Sequence, residues 1–241
     1  MLFRKKQLAL VFIALALGGS ACSSPTAQIA LRRAHLVSAQ AYYVEAAQFK
    51  TAQFAPPPAP DSDAQKADIA AILDWQAKRT AADCAKSQAT AGSNYDSFWG
   101  EKSLFPKPLP KEVEKFFNRL SVDLDGAVTN MKERYRRPRP FVAYPGKAEP
   151  CITKSTGFSY PSGHSTYSRV FANVLTDIAP ERKAEFFAKA DEIAQDRVIG
   201  GVHFPTDVAA GKAFGDIYHS ELLKSEAYRK DIEKMKALMV K

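Results

Sequence analysis

Three short segments hold the residue types needed to grip a phosphate-sized anion and attack it. In the first, Lys132 and Arg139 frame a K-x6-R-P spacing that ends at Pro140. The second is Pro161-Ser162-Gly163-His164. The third runs from Arg197 through His203 to Asp207, an R-x5-H-x3-D spacing. A guanidinium offers a planar fork of donors matched to phosphate oxygens, and an ammonium offers a point charge. Pro138 and Pro140 stiffen the backbone on either side of Arg139 and so aim its side chain. Pro161 to His164 reads as a turn into a helix N-terminus, where unpaired N–H groups and the helix dipole favour an anion. Ser162 adds a hydroxyl there, and Gly163 lets the backbone approach a ligand closely. Asp207, one helical turn beyond His203, can reach one ring nitrogen and leave the other as nucleophile or base.

Each segment alone has a plainer reading. With Arg134, Arg136 and Arg137 alongside, the first is a solvated basic patch. The second is a helix cap. The third is a surface ion pair, or a pair of metal ligands. Metal is the weaker option, because no further His/Glu cluster stands nearby and Lys132, Arg139 and Arg197 would repel a divalent cation.

The elements that must position these residues read as helices. Asp61 or Ser62 can cap a helix through Ile69, Leu73 and Trp75 to about Ala85. Residues 92–110 carry Gly and Pro punctuation and read as loop. Val113, Phe116, Phe117, Leu120, Leu124 and Val128 recur at helical spacing over Lys111 to Tyr135, and Pro138 and Pro140 end that helix. A loop follows over 141–160. A helix starts near Ser162, Pro180 restarts the chain into another over about 181–198, and a further one runs from about Thr206 to Leu223. A short charged helix closes the chain. No strand-like alternation and no solenoid repeat is present, so the fold class is all-α.

The ordered combination of the three segments resembles the signature of the type-2 phosphatidic acid phosphatase (PAP2) superfamily. Within it the chain is most similar to the bacterial class A non-specific acid phosphatases. The proline-rich stretch at 56–60 and the Phe158-Ser159-Tyr160 lead into the second segment fit that branch, and the resemblance covers roughly 42–223. It implies a single-domain helical bundle of the PAP2/haloperoxidase type. It implies His203 as nucleophile forming a phosphohistidine, Asp207 orienting its ring, and His164 as general acid and then base. Lys132, Arg139, Arg197, Ser162 and Gly163 would bind the phosphate oxygens, with no metal and no cofactor. Small phosphomonoesters would be substrates, with inorganic phosphate and vanadate as inhibitors, and relatives are often dimers or larger. One position departs from the family pattern: Asp196 stands where a serine usually precedes the arginine. Aimed inward, that carboxylate would weaken phosphate binding; aimed away, it would matter little. An unperturbed histidine titrates near ~6.5, so a protonated His164 implies an acidic to near-neutral optimum.

The beginning of the chain reads as a targeting segment. Arg4, Lys5 and Lys6 precede an apolar run from Gln7 to Leu17, and Gly18-Gly19-Ser20-Ala21 suits cleavage, giving a signal peptide over 1–21. Cys22 follows directly, which resembles a bacterial lipoprotein signal with Cys22 lipidated. Gly19 stands where such signals usually carry leucine, and ordinary cleavage after Ala21 is the competing reading. The expected location is periplasmic or outer-envelope, lipid-anchored or secreted. Residues 22–60 then form a proline-rich tether or strap, and 61–241 the catalytic domain. With Cys22 acylated, Cys84 and Cys151 are left as an even pair for a disulfide in an oxidising compartment; the alternative is two free thiols.

The formal charge of +8 suits an anionic substrate or surface. No nucleic-acid-binding module is recognisable. Two other functions fit parts of the pattern: a vanadium-dependent haloperoxidase, and a non-catalytic phosphate-binding envelope lipoprotein.

Overall fold

The computed structural model describes residues 41–240, which form helices joined by loops, with no strand among them. The signal segment, Cys22 and the first part of the tether lie outside the described residues. Among the described residues, no helix is long and apolar enough to cross a membrane.

The helices are α1 (Asp63–Lys78), α2 (Ala81–Ala89), α3 (Tyr95–Trp99), α4 (Lys111–Tyr135), α5 (Pro140–Ala143), α6 (Gly163–Ile178), α7 (Lys183–Ile199), α8 (Pro205–Lys224) and α9 (Glu226–Ala237). Helix α4 is the amphipathic one its spacing predicts. Val113, Phe116, Phe117, Leu120, Leu124, Ala127, Val128 and Met131 are all buried along one face. It stops at Arg136, which takes a left-handed cap at φ 47° immediately before the Arg137-Pro138 pair. Helix α6 buries Val170, Phe171, Val174, Leu175 and Ile178 and packs chiefly against α7 and α8.

That packing brings two of the three segments together. At Gly211 of α8, an added Cβ would stand 2.6 Å from the Ser162 carbonyl oxygen and 2.7 Å from Ser165 Cβ. Only glycine lets α8 lie this close to the start of α6. Between α7 and α8 the chain turns at Gly201, whose φ of +76° favours glycine. A small apolar cluster of Ile72, Ala148, Ala194, Val198, Phe204 and Val208 supports this turn from below, apart from the main core.

Three elements differ from the sequence expectation, one of them α5, a single turn at the start of the loop expected over 141–160. The helix expected to run to Ala85 is broken at Arg79-Thr80, because Thr80 and Asp83 cap the start of α2 reciprocally. The expected loop over 92–110 contains α3, whose Tyr95, Phe98 and Trp99 turn into the core. Burial of three aromatic rings outweighs the local Gly and Pro signals.

The described part of the tether lies against the domain. The backbone N–H groups of Tyr42, Tyr43 and Val44 donate to the Asp123 carboxylate at 3.1, 2.7 and 3.3 Å. Phe49 inserts against Phe214 and Tyr218. The hydroxyls of Tyr135 and Tyr160 donate to the carbonyls of Phe54 and Ala55, each at 2.7 Å. Cys84 of α2 and Cys151 of the loop before α6 are joined as a disulfide.

Candidate active site

The end of α4 and the loop after it supply the first group. Lys132 Nζ donates to the carbonyls of Phe158 at 2.7 Å and Ser159 at 3.4 Å. Arg139 Nε donates to the Gly157 carbonyl at 3.1 Å, and its Nη1 to the Val202 carbonyl at 2.9 Å. The same Nη1 stands 3.1 Å from His203 Nε2. A guanidinium can only donate, so His203 Nε2 is the bare nitrogen and Nδ1 carries the proton.

Ser162 starts α6 and is fully buried. Its hydroxyl caps the Ser165 N–H, and its own N–H donates to the Asp207 carbonyl at 2.9 Å. An added Cβ on Gly163 would meet only Val128 Cγ1 at 3.7 Å and Lys132 Cε at 3.8 Å, which is ordinary contact. Protein packing therefore does not require glycine there. In the first turn of α6, His164 Nε2 donates to the Ala91 carbonyl at 2.8 Å, just beyond the end of α2.

Arg197 and His203 end at the same place from the other side. Arg197 is buried; its Nε donates to the Ile193 carbonyl, and its Nη2 to Thr90 Oγ1 at 2.6 Å and to the Ser87 carbonyl. Asp207 is in the first turn of α8, where it accepts the Phe204 N–H at 2.9 Å and meets the positive end of the helix. The structure thus gathers Lys132, Arg139, Ser162, Gly163, His164, Arg197, His203 and Asp207 into one cluster.

The His203–Asp207 contact differs from the direct hydrogen bond that the spacing suggests. Nδ1 and Oδ2 are 3.6 Å apart, close enough for charge attraction but beyond hydrogen-bond reach. Ser159 Oγ lies between, 3.2 Å from Nδ1 and 2.5 Å from Oδ2. The other Asp207 oxygen accepts Arg137 Nη1 at 2.6 Å. Arg137 is no solvated patch residue. It is buried, and it also donates to Thr206 Oγ1 at 2.8 Å and to Asp68 and Gln65 of α1, each at 2.6 Å. Asp196 is buried, and its Oδ2 accepts the Thr90 hydroxyl at 2.7 Å, one atom away from the Arg197 guanidinium.

Sequence reasoning missed Arg137, Ser159, Thr90 and Asp68 as parts of the site. Arg137 lies inside the first segment as a neighbouring cation, and Ser159 in the lead into the second. Thr90 and Asp68 carry no local signal, since only the tertiary fold brings α1 and α2 here.

The pocket concentrates positive charge in a buried place. Burial, then Arg139, pushes the Lys132 ammonium down to about 7. Burial lowers Arg139 and Arg197 to about 10 each. Burial and then Arg197 push His164 down to about 4. Burial and the surrounding cations hold His203 well below the usual imidazole range. Burial outweighs the opposing charge of Asp207 at Lys132 and Arg139 and of Asp196 at Arg197, and a bound anion would favour the charged form of all five groups. Among the described residues, no group of three His, Cys, Asp or Glu side chains is placed to hold a metal ion.

Residues 120–227, which contain all three segments, match the PAP2 superfamily. A non-specific acid phosphatase of Salmonella typhimurium is 31% identical over 191 residues, covering 75% of this chain and 76% of that protein. This chain belongs to the PAP2 superfamily. A second relative, the non-specific acid phosphatase of Providencia stuartii, is 34% identical over 131 residues, about half of each chain. Among solved structures, a bacterial vanadium-dependent chloroperoxidase matches with a TM-score of 0.56 at 14% identity. The match covers 82% of this chain and 55% of that one, and shows a shared helical fold. Gln65, Asp68 and Thr90, which brace the PAP2 pocket, lie before the matched residues.

Proposed function

We propose that the chain is an exported acid phosphatase that hydrolyses small phosphate monoesters through a phosphohistidine at His203, without a metal. The observation that carries this reading is the bare Nε2 of His203, held beside Arg139 with its opposite nitrogen anchored. Nε2 attacks phosphorus in line with the ester oxygen. The N–P bond forms as the P–O bond breaks. His164 supplies the proton to the leaving oxygen, then removes one from the water that cleaves the phosphohistidine.

Lys132, Arg139, Arg197 and the Ser162–Gly163 backbone hold the phosphoryl oxygens. Phosphoryl transfer depends mainly on such positioning and charge stabilisation. Among the described residues, Arg139 Nη2 and Arg197 Nη1 have no hydrogen-bond partner, which leaves a donor on each for the ligand. Gly163, which packing does not require, is explained by close approach of the ligand to the backbone. Burial and Arg197 push His164 down to about 4, so its acid role requires that the substrate anion bring its proton or raise its affinity for one.

Export is supported by the basic and apolar start of the sequence and by the Cys84–Cys151 disulfide, a bond of oxidising compartments. Cys22 would then be the lipid-bearing residue at the envelope.

The purified protein is expected to hydrolyse p-nitrophenyl phosphate in EDTA and to be inhibited by vanadate. His203→Ala and His164→Ala should lose turnover, and phosphorus NMR after alkaline quench should show phosphohistidine. Continued turnover by His203→Ala would remove the nucleophile from this scheme. The fold shared with a vanadium-dependent chloroperoxidase raises a second reading. The same cations suit a vanadate anion, and bromide oxidation by peroxide with added vanadate tests it.

A further inference from the structure

We infer that Ser159 is a positioning residue that carries the hydrogen bond between His203 and Asp207, so the nucleophile is oriented by a three-membered relay. This rests on the reading of His203 as nucleophile.

The geometry constrains the ring from both ends. A hydroxyl has one proton to give and lone pairs to accept with. Ser159 Oγ is 2.5 Å from Asp207 Oδ2, a distance typical of a charge-assisted O–H···O bond, so its proton goes to the carboxylate. Its lone pair then faces His203 Nδ1 at 3.2 Å and accepts the ring N–H. At the far end, Arg139 donates to Nε2. Both contacts select the Nδ1–H tautomer, which leaves Nε2 bare.

Asp207 is not free to take the ring directly. Its Oδ1 accepts Arg137, and its Oδ2 accepts the Phe204 N–H as well as the serine. Turning toward Nδ1 would break these bonds. Ser159 is itself fixed, with its N–H donating to the Arg137 carbonyl at 2.8 Å, its carbonyl accepting from Lys132, and no exposed surface. When Nε2 bonds to phosphorus the ring becomes cationic. Its Nδ1–H then polarises the Ser159 hydroxyl toward the carboxylate, and no proton has to leave the relay. His164 protonates the departing oxygen, so the step balances.

The test compares wild type with Ser159→Ala, which removes one oxygen from a packed site. kcat should fall on the order of 10- to 100-fold, the effect of losing one charge-assisted hydrogen bond. KM and vanadate inhibition should stay within about twofold, because phosphate contacts remain. Ser159→Cys, of similar shape but a weaker partner, should fall between. Nitrogen NMR of the His203 ring should show Nδ1–H in wild type and a shift toward the other tautomer in Ser159→Ala. A kcat for Ser159→Ala within about twofold of wild type, or a wild-type ring protonated on Nε2, would overturn the relay. If wild type hydrolyses no phosphomonoester, the proposed function falls, and the NMR comparison still decides the relay.

Discussion

Asp196 and Arg197 are neighbours in sequence and meet again in space through a single atom, Thr90 Oγ1. The hydroxyl donates to Asp196 at 2.7 Å and accepts from Arg197 at 2.6 Å. The Asp196 carboxylate is thus tied to the Thr90 hydroxyl. It gives Arg197 an indirect counter-charge, and Asp196 is the group that opposes the lowering of Arg197 by burial.

Thr90→Val keeps the shape and removes that atom's hydrogen bonding. Arg197 retains the Ser87 carbonyl but loses its second brace. KM for p-nitrophenyl phosphate is expected to rise about 3- to 10-fold, the worth of one hydrogen bond to a charged group. kcat should change less. Unchanged KM in steady-state kinetics would show that Arg197 needs no support from Thr90.

The burial of Lys132 and His164 makes anion binding proton-linked. Burial in the fold holds Lys132 at about 7 and His164 at about 4, both below their ordinary values. Both groups are thus more often neutral than in an open chain, and an anion favours their charged forms. Binding therefore takes up protons and tightens as pH falls. Lys132 dominates above its value of about 7 and His164 between about 7 and 4. Sulfate suits the test because it stays dianionic over about pH 5–8, and affinity should rise by up to about tenfold per pH unit for one proton taken up. Calorimetry in buffers of different ionisation enthalpy counts those protons. Sulfate binding with no proton uptake would contradict this electrostatic account. The same depression of His164 destabilises the fold in acid. The unfolded chain binds the proton first, so stability is lost as pH falls from about 6.5 to about 4.

The disulfide bears on the same wall. Cys84 sits on α2, whose end carries Ser87 and Thr90 against Arg197, with Ala91 against His164. Opening a loop with a separation of 67 residues costs about 4 kcal/mol in the chain-entropy account. A Cys84→Ser/Cys151→Ser variant should melt at a lower temperature and show a raised KM, because α2 then holds its two partners less firmly. A variant that melts lower but keeps wild-type KM would separate the disulfide from the site.

Much of this pocket was legible because its residues lie within one turn of helix starts and ends. Ser162, Gly163 and His164 open α6, Asp207 opens α8, and Lys132 closes α4, all places that sequence marks with Pro, Gly and capping residues. What escaped was tertiary. Asp68 lies mid-helix in α1 and takes meaning only when Arg137 folds onto it. Ser159 looks like a loop serine until α8 brings Asp207 within 2.5 Å. The break between α1 and α2 was written in sequence as Thr80-x-x-Asp83, a capping pattern that the continuous run of helix formers obscured.

Arg137 and Arg139 are two residues apart and chemically identical, yet the structure gives them opposite work. Arg137 spends both Nη groups on Asp68, Asp207, Gln65 and Thr206, with its Cζ 4.3 Å from the Phe204 ring centroid. Arg139 bonds the Gly157 and Val202 carbonyls and faces His203 Nε2. A lysine reproduces the charge of either but not the fork. Arg137→Lys strands buried carboxylate oxygens and should cost stability on the order of 3 kcal/mol, read by urea denaturation, with kcat falling as Asp207 shifts. Arg139→Lys should leave stability within about 1 kcal/mol and act on kcat/KM, losing on the order of 10- to 100-fold as phosphoryl oxygens lose a donor. Equal stability losses in the two variants would mean that the buried Asp68–Arg137–Asp207 network carries no more of the fold than a pocket cation does.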